Sequence, residues 1–167
     1  LSIRDAAPLD SDDFLQSALP PSYILAGWSL GGMLALEAAL RQPQKVRGLV
    51  LIGTAARFCS GSGQAEGTAA AVLRAMIAAL PSLPRAVLTE VFRLTAAPFE
   101  MTALELEAQL EAALALGVPH LQAGLRLLLQ TDLRDRLPAL DVPTFVLHGE
   151  QDRIMPSVLG RALADVL

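Results

Sequence analysis

The chain has 167 residues, a length that suits one domain, with 53% hydrophobic and 18% charged residues and a formal net charge of −4. Such a composition buries a sizeable core and excludes a disordered segment, and its acidic balance argues against a nucleic-acid binder, which carries a basic face. No apolar run reaches the roughly 18 residues of a membrane span, Leu1-Ser2-Ile3-Arg4-Asp5 does not read as a signal peptide, and the single Cys59 excludes an internal disulfide framework, so a cytoplasmic setting away from membranes is expected.

In chain order, Asp10-Ser11-Asp12-Asp13 reads as the cap of a short helix reaching Leu19 and stopped by Pro20-Pro21. Residues 22–27 show no polar alternation and read as a strand buried on both faces, as in a parallel sheet. A helix from Leu30 to Arg41 follows, broken at Gln42-Pro43-Gln44, and a second buried strand covers Val46 to Ile52, closed by Gly53-Thr54. Strand, helix and strand make a parallel βαβ unit. Ser60-Gly61-Ser62-Gly63-Gln64 reads as a flexible stretch. Beyond it the pattern turns helical, predicting helices over 67–80, 84–95, 101–116 and 119–130, punctuated by Pro81, Pro84, Pro98, Gly117 and Pro119. Asp132 to Arg136 reads as a solvated, charged hinge. A third strand runs from Val142 to a glycine turn at His148-Gly149, and a last helix starts near Ser157. The expected organisation is an α/β core over 1–59, a helical cap over 60–135 and a return to the core over 136–167.

The stretch richest in chemistry is Gly27-Trp28-Ser29-Leu30-Gly31, which reads G-x-S-x-G. With glycine near 7% of residues and serine about as common, the bare pattern arises by chance in roughly one chain in twenty of this length. Its setting narrows the choice, because an apolar strand leads in and a helix leads out, the context of a nucleophile elbow. There the serine hydroxyl is exposed at a sharp turn and the next residue's N–H is free. A glycine-rich structural turn, or a turn that binds phosphate at a helix N-terminus, remains the other reading. Gly32 adds room for the helix to pack closely on a strand.

A serine hydroxyl needs a base, and the base needs a carboxylate to orient it. Asp152, just past the third strand and far downstream of Ser29, fits the acid in the order serine, acid, histidine. Glu150 and Asp135 are weaker candidates, and a turn or cap role is the alternative for Asp152. Cys59 reads as a small packed side chain, since nothing marks a base for it.

Ala26-Gly27-Trp28-Ser29-Leu30-Gly31-Gly32, Arg47-Gly48-Leu49-Val50, the helical cap, and Leu127 to Arg134 leading into Pro143 and His148-Gly149 carry a resemblance. Over nearly all 167 residues the chain resembles the α/β-hydrolase superfamily, and within it the esterases that cleave methyl esters of carrier-protein-bound acyl chains for biotin synthesis. The resemblance implies a partial α/β-hydrolase fold, a parallel sheet with a helical cap inserted between strands, and a serine carboxylesterase. It implies Ser29 as nucleophile, Asp152 as triad acid and the Leu30 backbone N–H as oxyanion donor. Its partners would be a small acyl ester and an acyl-carrier protein, with no metal or cofactor. Arg74, Arg85 and Arg93 are candidates to meet the carrier or are plain exposed charges. Phe92 and Phe99 line an acyl pocket or form cap core, and Trp28 is a further substrate contact.

Two parts of the family pattern do not appear. The family's base histidine follows the acid by some tens of residues, whereas His120 precedes Asp152 in the cap and His148 lies on the strand leading to it; both read as structural. The strands before the elbow, whose loop supplies a second oxyanion donor, are also missing. A fragment of a longer chain is therefore expected. The competing expectations are another hydrolase of the superfamily, such as an enol-lactonase or carbon–carbon bond hydrolase, and a non-catalytic module that binds an acyl group or protein.

Overall fold

A computed structural model describes residues 21–167; the helix expected before Leu19 lies outside them. Three parallel strands, β1 (Tyr23–Trp28), β2 (Val46–Ile52) and β3 (Thr144–Leu147), lie in the order β1-β2-β3. Helix α1 (Leu30–Arg41) joins β1 to β2, and α6 (Ser157–Val166) follows β3. Between β2 and β3 come α2 (Ala70–Ala79), α3 (Pro84–Ala96), α4 (Ala103–Leu114) and α5 (Val118–Gln130), then a short 3-10 turn at Leu137–Ala139. Helix α2 packs on α5, and α3 on α4. Among the described residues no single helix is long and apolar enough to cross a membrane.

Alternation of side chains along the strands decides where the core sits. Leu25, Leu49 and Leu51 point to one face, where Ala35, Leu36, Ala38 and Ala39 of α1 and Leu163 of α6 cover them. Burying each leucine there contributes about 1.5–3 kcal/mol. Ile24, Trp28, Phe145 and Leu147 point to the other face and stay 52–68% exposed. The strand at β1 is thus buried on one face and not on both. Its unbroken apolar run answers to a sheet meant for cover on two sides, and the described residues cover one.

Helix boundaries follow local chemistry. Pro84 and Pro119 sit in the first turns of α3 and α5, where a missing N–H costs nothing. Thr102 caps α4 in a capping box, its hydroxyl accepting from Glu105 N–H while the Glu105 carboxylate accepts from Thr102 N–H. That cap moves the helix start two residues past the 101 expected. Helix α2 starts three residues later than expected, because Thr68 pairs with Cys59 and Ser60 instead.

The Ser60–Gln64 stretch is not a loose linker. Gly61 and Gln64 exchange backbone bonds of 2.8 and 2.9 Å, and the Gln64 amide nitrogen donates to the carbonyls of Arg57, Cys59 and Glu66. The chain leaving β2 is also stitched to the chain returning from α5. Arg57 bridges Asp132, Leu133 N–H donates to Ala56 O at 2.9 Å, and Arg57 and Arg134 both donate to Ser62 O. The charged run at Asp132–Arg136 is therefore a tie and not a solvated hinge. Arg134, hydrogen-bonded to it at 2.7 Å, holds the Asp132 carboxyl below the usual carboxylate range. Arg136 reaches Glu37 on α1 at 2.7 Å. Burial pushes the Glu37 carboxyl up, but hydrogen bonds from Arg136 and Arg41 outweigh it and leave Glu37 below its ordinary range.

Candidate active site

Ser29 occupies the single-residue turn between β1 and α1, with φ 52° and ψ −122°. A side-chain-bearing residue rarely adopts that backbone, and such outliers concentrate at functional sites. A serine at a helix N-cap ordinarily spends its hydroxyl on the first-turn N–H groups. Ser29 makes no such bond, so its hydroxyl is left for other use. The half-exposed side chain stands at the positive end of α1.

Packing forces this turn. A Cβ built on Gly27 would overlap the Gly31 carbonyl and lie 2.6 Å from Gly32 Cα, and one on Gly32 would lie 2.7 Å from the Thr54 side chain. The start of α1 therefore presses on both the end of β1 and the residue pair that closes β2. Thr54 is fully buried, and its hydroxyl donates to Ser29 O at 2.7 Å. Ser29 O also accepts from Gly32 N–H at 2.9 Å and Met33 N–H at 3.3 Å. Leu30 N–H is a first-turn donor, which a helix leaves without an internal acceptor.

The three strand ends meet in one row. Ser29 N–H donates to Ile52 O, and Gly53 N–H donates to Leu147 O, both at 2.8 Å. Asp152 stands in the turn after β3. Its Oδ1 accepts from the backbone N–H groups of Ile154 at 2.9 Å and Met155 at 2.8 Å. Its Oδ2 faces Gly53: a Cβ there would lie 3.5 Å from Oδ2 and 3.4 Å from Trp28 Nε1. One oxygen of Asp152 thus shapes its own turn while the other looks toward the strand end beside Ser29.

Neither histidine stands as a base for Ser29. His120 is exposed in the first turn of α5. His148 Nε2 donates to Met155 O at 2.6 Å and lies 3.8 Å from Asp152 Oδ2, and Nδ1 is buried without a partner. The ring fills the notch made by Gly160 on α6, where a Cβ would overlap Nδ1. Gly160→Ala is therefore expected to destabilise the fold by about 1–3 kcal/mol through overpacking, although the same change in an open helix stabilises by about 1 kcal/mol. A urea titration reads the sign, and an unchanged or raised midpoint would mean that the His148 ring does not fill the Gly160 notch.

The remaining candidates lie on the helical segment. Arg85 on α3 is exposed and paired with Glu107 on α4 at 2.7 Å. Arg74 and Arg93 are exposed, Phe92 is half-buried in α3, and Phe99 is 81% exposed after it. Cys59 is buried with its Sγ 3.7 Å from Leu128 O, and burial pushes its thiol up, away from a thiolate. Glu150 and Asp135 are each exposed in a turn, Glu150 after β3 and Asp135 before the 3-10 turn. Among the described residues no three His, Cys, Asp or Glu side chains converge as metal ligands. A cavity of about 360 Å³ opens beside Asp141, Pro143 and Thr144, at the start of β3 and thus at the opposite end of the sheet from Ser29 and Asp152.

Along the sequence Thr54 only closes a strand, and its hydrogen bond to the turn becomes visible in the fold. A signal was present in the second glycine after the serine, because Gly32 is needed only if something bulky leans on that first helical turn.

A parallel sheet with a serine at a strand-to-helix turn, a carboxylate after a neighbouring strand and helices inserted between them is the α/β-hydrolase fold. The family model described as serine aminopeptidase, S33 matches residues 10–167, and the chain belongs to that family. A pimeloyl-[acyl-carrier protein] methyl ester esterase of Xanthomonas oryzae pv. oryzae is 36% identical over 153 residues, 90% of this chain and 60% of the relative. One of the same name from Aromatoleum aromaticum is 35% identical over 161 residues, 91% of this chain and 64% of the relative. The chain thus spans about three fifths of the length of the curated relatives it matches. Among solved structures, an esterase from Exiguobacterium antarcticum superposes with a TM-score of 0.83 at 23% identity over 93% of this chain and 58% of the other. The enol-lactonase of Burkholderia xenovorans LB400 gives 0.72 at 20% identity over 87% and 54%. At these identities the superpositions speak for the fold.

Proposed function

We propose that this chain is the nucleophile- and acid-bearing part of a carboxylic-ester hydrolase acting through an acyl-Ser29 intermediate. The observation that carries the reading is the free hydroxyl of Ser29 on a positive-φ turn at a helix start, where capping would ordinarily consume it. Ser29 Oγ attacks the ester carbonyl carbon and gives its proton to an imidazole. The carbonyl electron pair moves to oxygen, which the Leu30 N–H holds. The oxyanion then collapses, the bond to the alcohol breaks and the alcohol takes the proton. Water repeats the cycle on the acyl-serine and releases the acid.

Asp152 Oδ2 orients the imidazole, a role that neither His120 nor His148 fills. The substrate is an acyl methyl ester, with the relatives' names supporting a chain carried on an acyl-carrier protein. The helices between β2 and β3 serve as a cap, and Trp28, Phe92 and Arg85 are the candidate substrate contacts. A fluorophosphonate probe tests the chemistry. In the complete reading frame that carries this sequence, label is expected on Ser29 and is lost in Ser29→Ala. The 167 residues by themselves are expected not to react, for want of a base. Label that persists in Ser29→Ala overturns the assignment.

A further inference from the structure

We infer that Thr54 is a positioning residue that aims the oxyanion donor by clamping the Ser29–Leu30 peptide; the inference rests on the esterase reading of Ser29. Ser29 C=O and Leu30 N–H belong to one peptide unit. A trans peptide is planar, so its carbonyl and its N–H point in opposite directions. Whatever fixes the carbonyl therefore fixes the line along which Leu30 N–H points.

Three donors converge on Ser29 O: Gly32 N–H at 2.9 Å, Met33 N–H at 3.3 Å and the Thr54 hydroxyl at 2.7 Å. The two amides belong to the first turn of α1 and move with it. Thr54 comes from the chain that closes β2, so it alone of the three ties the plane to the sheet. Its side chain is fully buried and wedged against Gly32, where a Cβ would lie 2.7 Å from Thr54 Cβ and Cγ2. A hydroxyl so enclosed has few rotamers, and its short bond is held in register.

The clamp also opposes the strain of the turn. A residue at φ 52° relaxes by rotating its flanking peptides unless the surroundings over-determine them. Losing the Thr54 bond lets the Ser29–Leu30 plane rock about the Cα atoms, which swings Leu30 N–H off the developing oxyanion. Binding of the substrate, which does not use that charge, is spared. A hydroxyl that acts this way raises kcat and leaves KM alone.

The test uses the complete reading frame and three variants read by methyl-ester turnover and by the rate of fluorophosphonate labelling. Thr54→Val keeps the shape and deletes the donor. It is expected to lower kcat and the labelling rate by about 10- to 100-fold, short of the 10²–10³ for outright loss of an oxyanion donor. KM stays within about threefold, the signature of an interaction made in the transition state. Thr54→Ser keeps the donor and is expected to hold both rates near wild type.

Valine at wild-type rates overturns the inference, and so does serine falling as far as valine, which would make packing the agent. A rise in KM with kcat unchanged overturns it equally. If Thr54→Val does not fold, Thr54→Ala and Thr54→Ser ask the same question, and rates that fall equally in both overturn it. Failure of wild-type protein to label at Ser29 removes the esterase reading itself. A labelled wild type beside an unaffected Thr54→Val removes the clamp and leaves that reading standing.

Discussion

Asp152→Asn is expected to leave the fold intact and to lower turnover on the order of 10⁴-fold, the scale at which an amide in place of a triad carboxylate acts. The two oxygens of Asp152 have separate work. Oδ1 accepts the Ile154 and Met155 N–H groups, and an asparagine carbonyl accepts them as well. Oδ2, on the side of Gly53 and Trp28, becomes an amide nitrogen that donates. A donor there selects the wrong tautomer of the imidazole that activates Ser29. Asp152→Ala removes both functions and is expected to loosen the turn that His148 and Met155 share. Turnover of the two variants in the complete reading frame, beside their urea midpoints, separates these effects. An asparagine variant that retains more than about a tenth of wild-type kcat takes Asp152 out of the acid role.

Gly27→Ala is expected to cost about 3 kcal/mol or more, at the upper end of overpacking penalties, and to abolish labelling of Ser29. The added methyl would overlap the Gly31 carbonyl group and approach Gly32 Cα, all backbone. No rotamer change relieves such a contact. Either the first turn of α1 unwinds or the end of β1 shifts, and both carry Ser29 away. Gly31→Ala is the internal control, since a Cβ there meets nothing within 4 Å. In a helix that change is worth about 1 kcal/mol of stabilisation. Urea midpoints of both variants decide the matter, and equal midpoints would mean that the turn yields where the packing says it cannot.

The contrast between those two glycines marks what can be read from residues alone. The pattern G-x-S-x-G treats Gly27 and Gly31 alike, yet only the first faces backbone. Strands and helices were legible where apolar period and proline or glycine punctuation agreed, as in β2 at Val46–Ile52 and α3 at Pro84–Ala96. The elbow setting and the place of Asp152 followed from order along the chain. What escaped depended on atoms distant in sequence. Thr54 meets Ser29 across 25 residues, and Arg134 meets Ser62 across 72. Ser60–Gln64 read as loose because its composition is that of a linker; the Gln64 amide that ties it carries no local mark. The strand at 22–27 read as buried on both faces because an apolar run records the cover a sheet is built for.

The stitched stem at Arg57 and Asp132 has a consequence for how such a protein changes over time. The bridge, the Leu133–Ala56 bond and the Arg134–Ser62 contact close the loop that holds α2 to α5 between β2 and β3. Closing a loop grows costlier only slowly with its length, by about 0.6 kcal/mol for each doubling. Helices α3 and α4 can therefore be lengthened or exchanged at little cost, whereas α2 and α5 are bound to the core through Leu73, Leu128 and Leu129, which pack with Met33 and Met155. Variation in α3 and α4 is thus only weakly coupled to the geometry at the strand ends, so selection can revise one without re-solving the other.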